Sequence, residues 1–192
     1  MTRAKLRGIM FVIVAVLITI LAGGWFRPQE EHFAVYPSPY LTHRSLLSRY
    51  NPALLGTPGD TEVFIYEGTQ PGGTLFVLGG SHPDEPAGLT AALVFAENAR
   101  AVQGRLIVIP FANRSAFSHN LPQEGHPTGY SLKTAGGERQ LKFGSRLTNP
   151  IHQWPDPTIC VQQVDGQKLA GTEARNLNRA YPGQPDGSLT AQ

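Results

Sequence analysis

The chain has 192 residues, 41% hydrophobic and 16% charged, which suits one folded domain with a core and excludes a disordered polyelectrolyte. A single cysteine, Cys160, rules out an intrachain disulfide and any cysteine-rich metal cluster, and is read as a small buried residue. The formal charge of +2 is misleading: with Arg3, Lys5 and Arg7 set aside, 13 of the 16 basic residues remain against 14 acidic ones, so no basic stripe is left for nucleic acid.

Residues 1–7 form a basic segment expected on the cytoplasmic side. Residues 8–26, GIMFVIVAVLITILAGGWF, carry no charge and approach the roughly 20 residues that a spanning helix requires. β-Branched residues form helices poorly in water, but in lipid the backbone has no other hydrogen-bond partner. The preceding positive charges orient the segment, so the body of the protein is expected outside the cytoplasm. A cleaved signal peptide, with Ala22 and Gly24 near the cut, is the alternative; it would leave a secreted or periplasmic protein. Residues 27–60 are proline-containing and of mixed polarity. They are predicted to be a spacer lying along the domain, with a short helix near SLLSRY and with His32 and His43 facing solvent.

A domain is expected over residues 61–192. EVFIYEG alternates as a strand does, QPGG reads as a turn, and TLFVL is a short apolar run of the kind buried on both faces of a sheet. In EPAGLTAALVFAENAR, Leu89, Leu93 and Ala96 recur at helical spacing, with Pro86 in the first turn. RLIVIP is a further buried strand. Strand, helix and strand at this length make a βαβ unit, and the fold class is α/β. Residues 114–157 are rich in Gly, Pro, His and Asn, with a short strand near RQLKFGSRL. TICVQQV followed by DGQKL reads as a hairpin.

The stretch with most chemical content is GGSHPDEPAG, residues 79–88, between the apolar strand and the helix. Ligands of α/β sheets gather at the carboxyl ends of strands, and the glycines let backbone turn sharply there. His82 and Glu85 bring an imidazole and a carboxylate to this turn, both donor types that catalytic Zn²⁺ accepts, while Pro83 and Pro86 stiffen it. Plainer roles are also open: Glu85 facing the helix dipole, and His82 satisfying a backbone group.

VLGGSHPDEPAG resembles the first zinc motif, G-G-x-H-G-D-E, of the M14 zinc carboxypeptidase superfamily in its succinylglutamate desuccinylase/aspartoacylase branch, departing from it at Pro83. NLNRAYPG, residues 176–183, is similar to that branch's D-L-N-R-x-F-P-G, and VIPFANRSAF to the strand and loop between the two motifs. The resemblance implies an incomplete, zinc carboxypeptidase-like domain with a mixed or mostly parallel sheet and flanking helices. It implies one Zn²⁺ ion held by His82 and Glu85, and a substrate carboxylate held by Asn178 and Arg179. Arg175 is the nearest candidate for the arginine that polarises the scissile carbonyl, with Arg139 and Arg146 also open.

The implied activity is hydrolysis of an amide bond in small N-acyl amino acids or carboxylate-ended peptides. The branch takes its third zinc ligand, a histidine, and its catalytic glutamate from segments beyond the Asn-Arg motif. His119, His126 and His152 precede that motif and match no ligand position. The chain is therefore expected to be the N-terminal part of a longer protein, and to bind zinc weakly by itself. The competing expectation is a non-catalytic, membrane-tethered module that retains only the carboxylate-binding pair.

Overall fold

A computed structural model describes residues 2–25, 34–120, 125, 127–134 and 137–192; His32 and His126 lie outside the described residues. The chain separates into two compact units, residues 1–31 and 32–192. In the first, helix α1 (Arg3–Trp25) is exposed, and it is long and apolar enough to cross a bilayer, as anchors and signal sequences both are.

The second unit is built on a four-stranded mixed sheet of β1 (His43–Leu46), β2 (Glu62–Glu67), β3 (Gln70–Leu78) and β4 (Gln103–Ile109), in the spatial order β1-β2-β4-β3. β3 and β4 run parallel, joined by α2 (Pro86–Asn98), so the predicted βαβ unit is present. β2 is antiparallel to both of its neighbours, so the sheet is mixed and not mostly parallel. α2 begins on Pro86, whose missing N–H costs nothing in a first turn, and buries Leu89, Ala92, Leu93 and Ala96 against Phe64, Tyr66, Leu106 and Val108. Each buried leucine contributes about 1.5–3 kcal/mol. Phe111 and Phe117 close this core edge to face at 5.2 Å, and Leu141 joins it from the later hairpin.

Three expectations are corrected here. TLFVL does not lie buried on both faces: β3 is an edge strand among the described residues, and Leu75 and Phe76 are 55% and 54% exposed. The strand buried on both faces is β2, with Val63, Phe64, Ile65 and Tyr66 all buried, because it has a partner on each side. QPGG is the start of β3 rather than a turn. Within the segment read as spacer, residues 43–46 form β1 and pair with β2, and two 3₁₀ turns follow, Leu47–Arg49 and Pro52–Leu54.

The long segment after Phe111 is tied down piece by piece. Asn113 caps a 3₁₀ turn, Arg114–Ser118, by accepting from the Ala116 N–H. β5 (Gly129–Thr134) and β6 (Gly137–Lys142) pair as a hairpin. Arg139 of that hairpin grips both carboxylate oxygens of Glu97 on α2, at 2.7 and 2.9 Å. The expected second hairpin is β7 (Ile159–Val161) with β8 (Lys168–Ala170), and Cys160 within it is buried. A 3₁₀ turn, Gly171–Arg175, then leads into the short helix α3 (Leu177–Ala180).

Candidate metal centre

The loop from Gly79 to Glu85 leaves the carboxyl end of β3 and is laced to the chain that leaves β4. Gly79 N–H donates to the Ile109 carbonyl at 2.9 Å, and the Ala112 and Asn113 N–H groups donate back to the Gly79 and Gly80 carbonyls. Gly80 takes a left-handed φ of +60°, and a Cβ there would sit 2.8 Å from the Pro110 carbonyl oxygen. Pro83 is fully buried. The backbone is thus held on both sides of His82.

The structure brings the His82 and Glu85 side chains together. His82 is only 4% exposed, and its Nδ1 lies 3.2 Å from Glu85 Oε1. Its other nitrogen, Nε2, is 2.8 Å from Asn176 Oδ1. The orientation of the Asn176 amide is set twice over: Nδ2 donates to Glu173 Oε2 at 2.9 Å, and Oδ1 accepts the Asn178 N–H at 3.1 Å. With Oδ1 facing His82, Nε2 must carry the hydrogen, which leaves the Nδ1 lone pair directed at the carboxylate. Two acceptors facing each other at 3.2 Å need a proton or a cation between them. Tetrahedral zinc, with bonds of about 2.0–2.2 Å, holds its ligand atoms about 3.3 Å apart. The donor pair therefore fits the metal.

Two further side chains enter the site. A carboxylate oxygen of Asp84 lies within 4.8 Å of the donor atoms of His82 and Glu85. Arg146, from the long segment, donates from Nη1 to Glu85 Oε1 at 2.9 Å. Both partners of that pair are well exposed, so water screens the attraction and the guanidinium is readily displaced. Sequence reasoning passed over Asn176, whose signal was its place in NLNR, and Asp84, whose signal was the acid pair at 84–85.

The other expected site residues are placed differently. Arg179 pairs its Nε with Glu173 Oε2 at 3.2 Å, so Glu173 links Arg179 through Asn176 to His82. Asn178 is exposed on the same short helix. Arg175 is 5% exposed, and its guanidinium is engaged by Asp156 Oδ1 at 2.8 Å and by the Thr148 carbonyl at 2.8 Å. His152 lies by the 3₁₀ turn, with Nδ1 at 2.8 Å from Ser115 Oγ, and burial lowers its pKa. Tyr181, just after α3, stands near Ser81, the residue before His82; desolvation raises its phenol pKa, and Ser81 lowers it by a smaller amount.

Comparison with known proteins gives a partial relation. Over 121 residues the chain is 31% identical to N-alpha-acetyl-L-2,4-diaminobutyric acid deacetylase of Halomonas elongata, covering 62% of this chain and 22% of that protein. The crystal structure of succinylglutamate desuccinylase/aspartoacylase from Rhodobacter sphaeroides aligns with a TM-score of 0.38 and 23% identity, over 69% of this chain and 26% of that one. A succinylglutamate desuccinylase from Silicibacter sp. TM1040 aligns with a TM-score of 0.36 and 25% identity over the same shares. No family model matches the chain. The chain has partial homology to these deacylases and spans about a quarter or less of their length.

Proposed function

We propose that this chain contributes ligands to a zinc-dependent amide hydrolase site, acting on small N-acyl amino acids or on peptides that end in a carboxylate. His82 and Glu85 would hold the ion. When bound there, zinc supplies Lewis-acid polarisation of a carbonyl and a water made acidic enough to be a nucleophile near neutral pH. The observation that carries the reading is the 3.2 Å approach of His82 Nδ1 to Glu85 Oε1, with Nε2 already tied to Asn176. Such a hydrogen bond to the remote ring nitrogen fixes the tautomer of a ligating histidine.

The other residues take roles that follow from their positions. Arg179 would exchange Glu173 for the substrate carboxylate, which its planar fork matches, and Asn178 would add a hydrogen bond from the same helix. Of the three arginines considered for the scissile carbonyl, the distances favour Arg146, which reaches Glu85, over Arg175, which is occupied by Asp156. α1 would tether the domain to a membrane with residues 1–7 on the cytoplasmic side.

Zinc binding to the full chain in detergent tests the proposal. His82→Ala and Glu85→Ala should each weaken binding at least tenfold, and equal binding by wild type and both variants would refute the metal reading. A carboxylate-binding module without metal is the second reading, favoured by the Arg179–Glu173 pair. It predicts that an N-acyl amino acid binds the metal-free chain and that Arg179→Ala abolishes this.

A further inference from the structure

Residues alternate across a strand, so Leu78 of β3 and its neighbour Ile109 of β4 point away from the face that Val108 packs against α2. On that opposite face they join Leu54, from a 3₁₀ turn, Leu177 of α3 and Leu189 in the wall of a cavity of about 220 Å³. An apolar cavity of about 150 Å³ is already large enough to take benzene. The described residues that line it include none of the proposed metal donors and neither Asn178 nor Arg179, so the cavity is distinct from the metal centre.

Asn113 is part of the same wall and is only 6% exposed. Its Oδ1 accepts the Ala116 N–H and the Thr148 hydroxyl, both at 3.2 Å, so the amide can be turned only one way. That leaves Nδ2, which is shut off from solvent and has no acceptor. A buried donor without a partner is costly, and folded proteins rarely keep one. The neighbouring hydroxyls are spent elsewhere: Thr148 on Asn113 Oδ1, Thr190 on Thr148 and Gln153, and Ser115 on His152 and the Asn149 N–H. Among the described residues of the wall none is acidic, and Arg114 adds a positive charge.

We propose that this cavity binds a small monocarboxylic acid with an apolar body, of the size of hexanoate or benzoate. Its carboxylate accepts from Asn113 Nδ2 in the positive field of Arg114, while the body packs on Leu54, Leu78, Ile109 and Leu177. An apolar chamber with one unspent N–H donor selects for shape and for a single acceptor, and the absence of an acid from the described wall admits a negative charge. The site does not depend on the metal reading and stands or falls by itself.

The test uses the full chain in lipid nanodiscs without zinc, because detergent monomers would compete for an apolar cavity. Hexanoate and benzoate are titrated by calorimetry against empty discs, with hexanol and hexylamine as uncharged and cationic controls. Both acids should saturate one site at about 1 mM or below. The controls should bind about tenfold more weakly or worse, the loss expected when a charge-assisted hydrogen bond is missing. Asn113→Asp keeps Oδ1 for the 3₁₀ cap but replaces the donor with an acceptor oxygen, and Leu78→Phe fills the chamber from β3 with Asn113 left in place. Each should weaken acid binding about tenfold or more. In the ¹⁵N-labelled wild type the Asn113 side-chain amide signals should shift on saturation, which reports the contact even where a variant fails to fold. Heats equal to those of empty discs up to about 10 mM would mean that water alone serves Nδ2, and would overturn the proposal. So would saturation that leaves the Asn113 amide signals unmoved, acid binding that both variants share with the wild type, or hexanol binding as tightly as hexanoate.

Discussion

Asn176 is the residue on which the candidate centre most depends for its geometry. It is 1% exposed, and its side chain takes part in three hydrogen bonds: with His82 Nε2, with Glu173 Oε2 and with the Asn178 N–H. Asn176→Ala leaves the buried Nε2–H of His82 without an acceptor, which costs about 1–3 kcal/mol. It also removes the cap of α3, at about 1 kcal/mol. Glu173 keeps Arg179 and is partly solvated, so its loss adds little. The sum is about 3 kcal/mol. Zinc affinity should fall about 10–100-fold, the usual effect of losing the partner of a ligating histidine. Asn176→Asp tests the same network from the other side. It sets a carboxylate oxygen against Glu173 Oε2 at the position where an amide nitrogen now donates at 2.9 Å. One of the two carboxyl groups then has a folded-state pKa above its unfolded value. Stability of that variant is full below the unfolded carboxyl pKa of about 4 and is lost as pH rises through the folded value, so its deficit against wild type grows between pH 4 and 8. Urea unfolding followed by circular dichroism, with zinc titration alongside, reads both effects. A loss below about 1 kcal/mol in Asn176→Ala with unchanged zinc affinity would refute the argument.

Three further outcomes are expected. Burial lowers the pKa of His152, so the unfolded chain takes up a proton that the folded chain refuses; stability is full above about pH 6.5 and falls as pH drops through the window below it. The gap in unfolding midpoint between pH 7.5 and 5.5 should narrow in His152→Gln, and an unchanged gap would contradict this. Arg175→Met should destabilise by about 3 kcal/mol in thermal unfolding by leaving Asp156 unpaired, whereas Arg175→Met with Asp156→Leu should regain much of the loss. A single variant as stable as wild type would show that the pair holds nothing together. Gly80→Ala should cost about 2–3 kcal/mol, since a left-handed φ and a Cβ 2.9 Å from Phe117 Cζ act together. Unfolding unchanged by that substitution would mean the turn is not held as described.

What could be read along the chain was local. The period of Leu89, Leu93 and Ala96, the proline at the helix start and the apolar run RLIVIP identify the βαβ unit, because helix and strand periods are imposed by backbone geometry over a few residues. His82 and Glu85 were legible for the same reason: three residues on one turn bring them together whatever surrounds them. Strand order is another matter. TLFVL and EVFIYE are both apolar, and only pairing makes β2 central and leaves β3 at an edge with Leu75 and Phe76 in solvent. β1 went unread because a four-residue strand, HRSL, has too short a pattern to announce itself and exists through its partner Glu62–Glu67. The same distinction divides the site. Asn176 reaches His82 across 94 residues of chain and Arg146 reaches Glu85 across 61, while Arg175 is drawn to Asp156. Sequence determines which donors a turn can offer; the packing of distant segments decides which neighbours orient them, because those contacts form only once the chain has folded back upon itself.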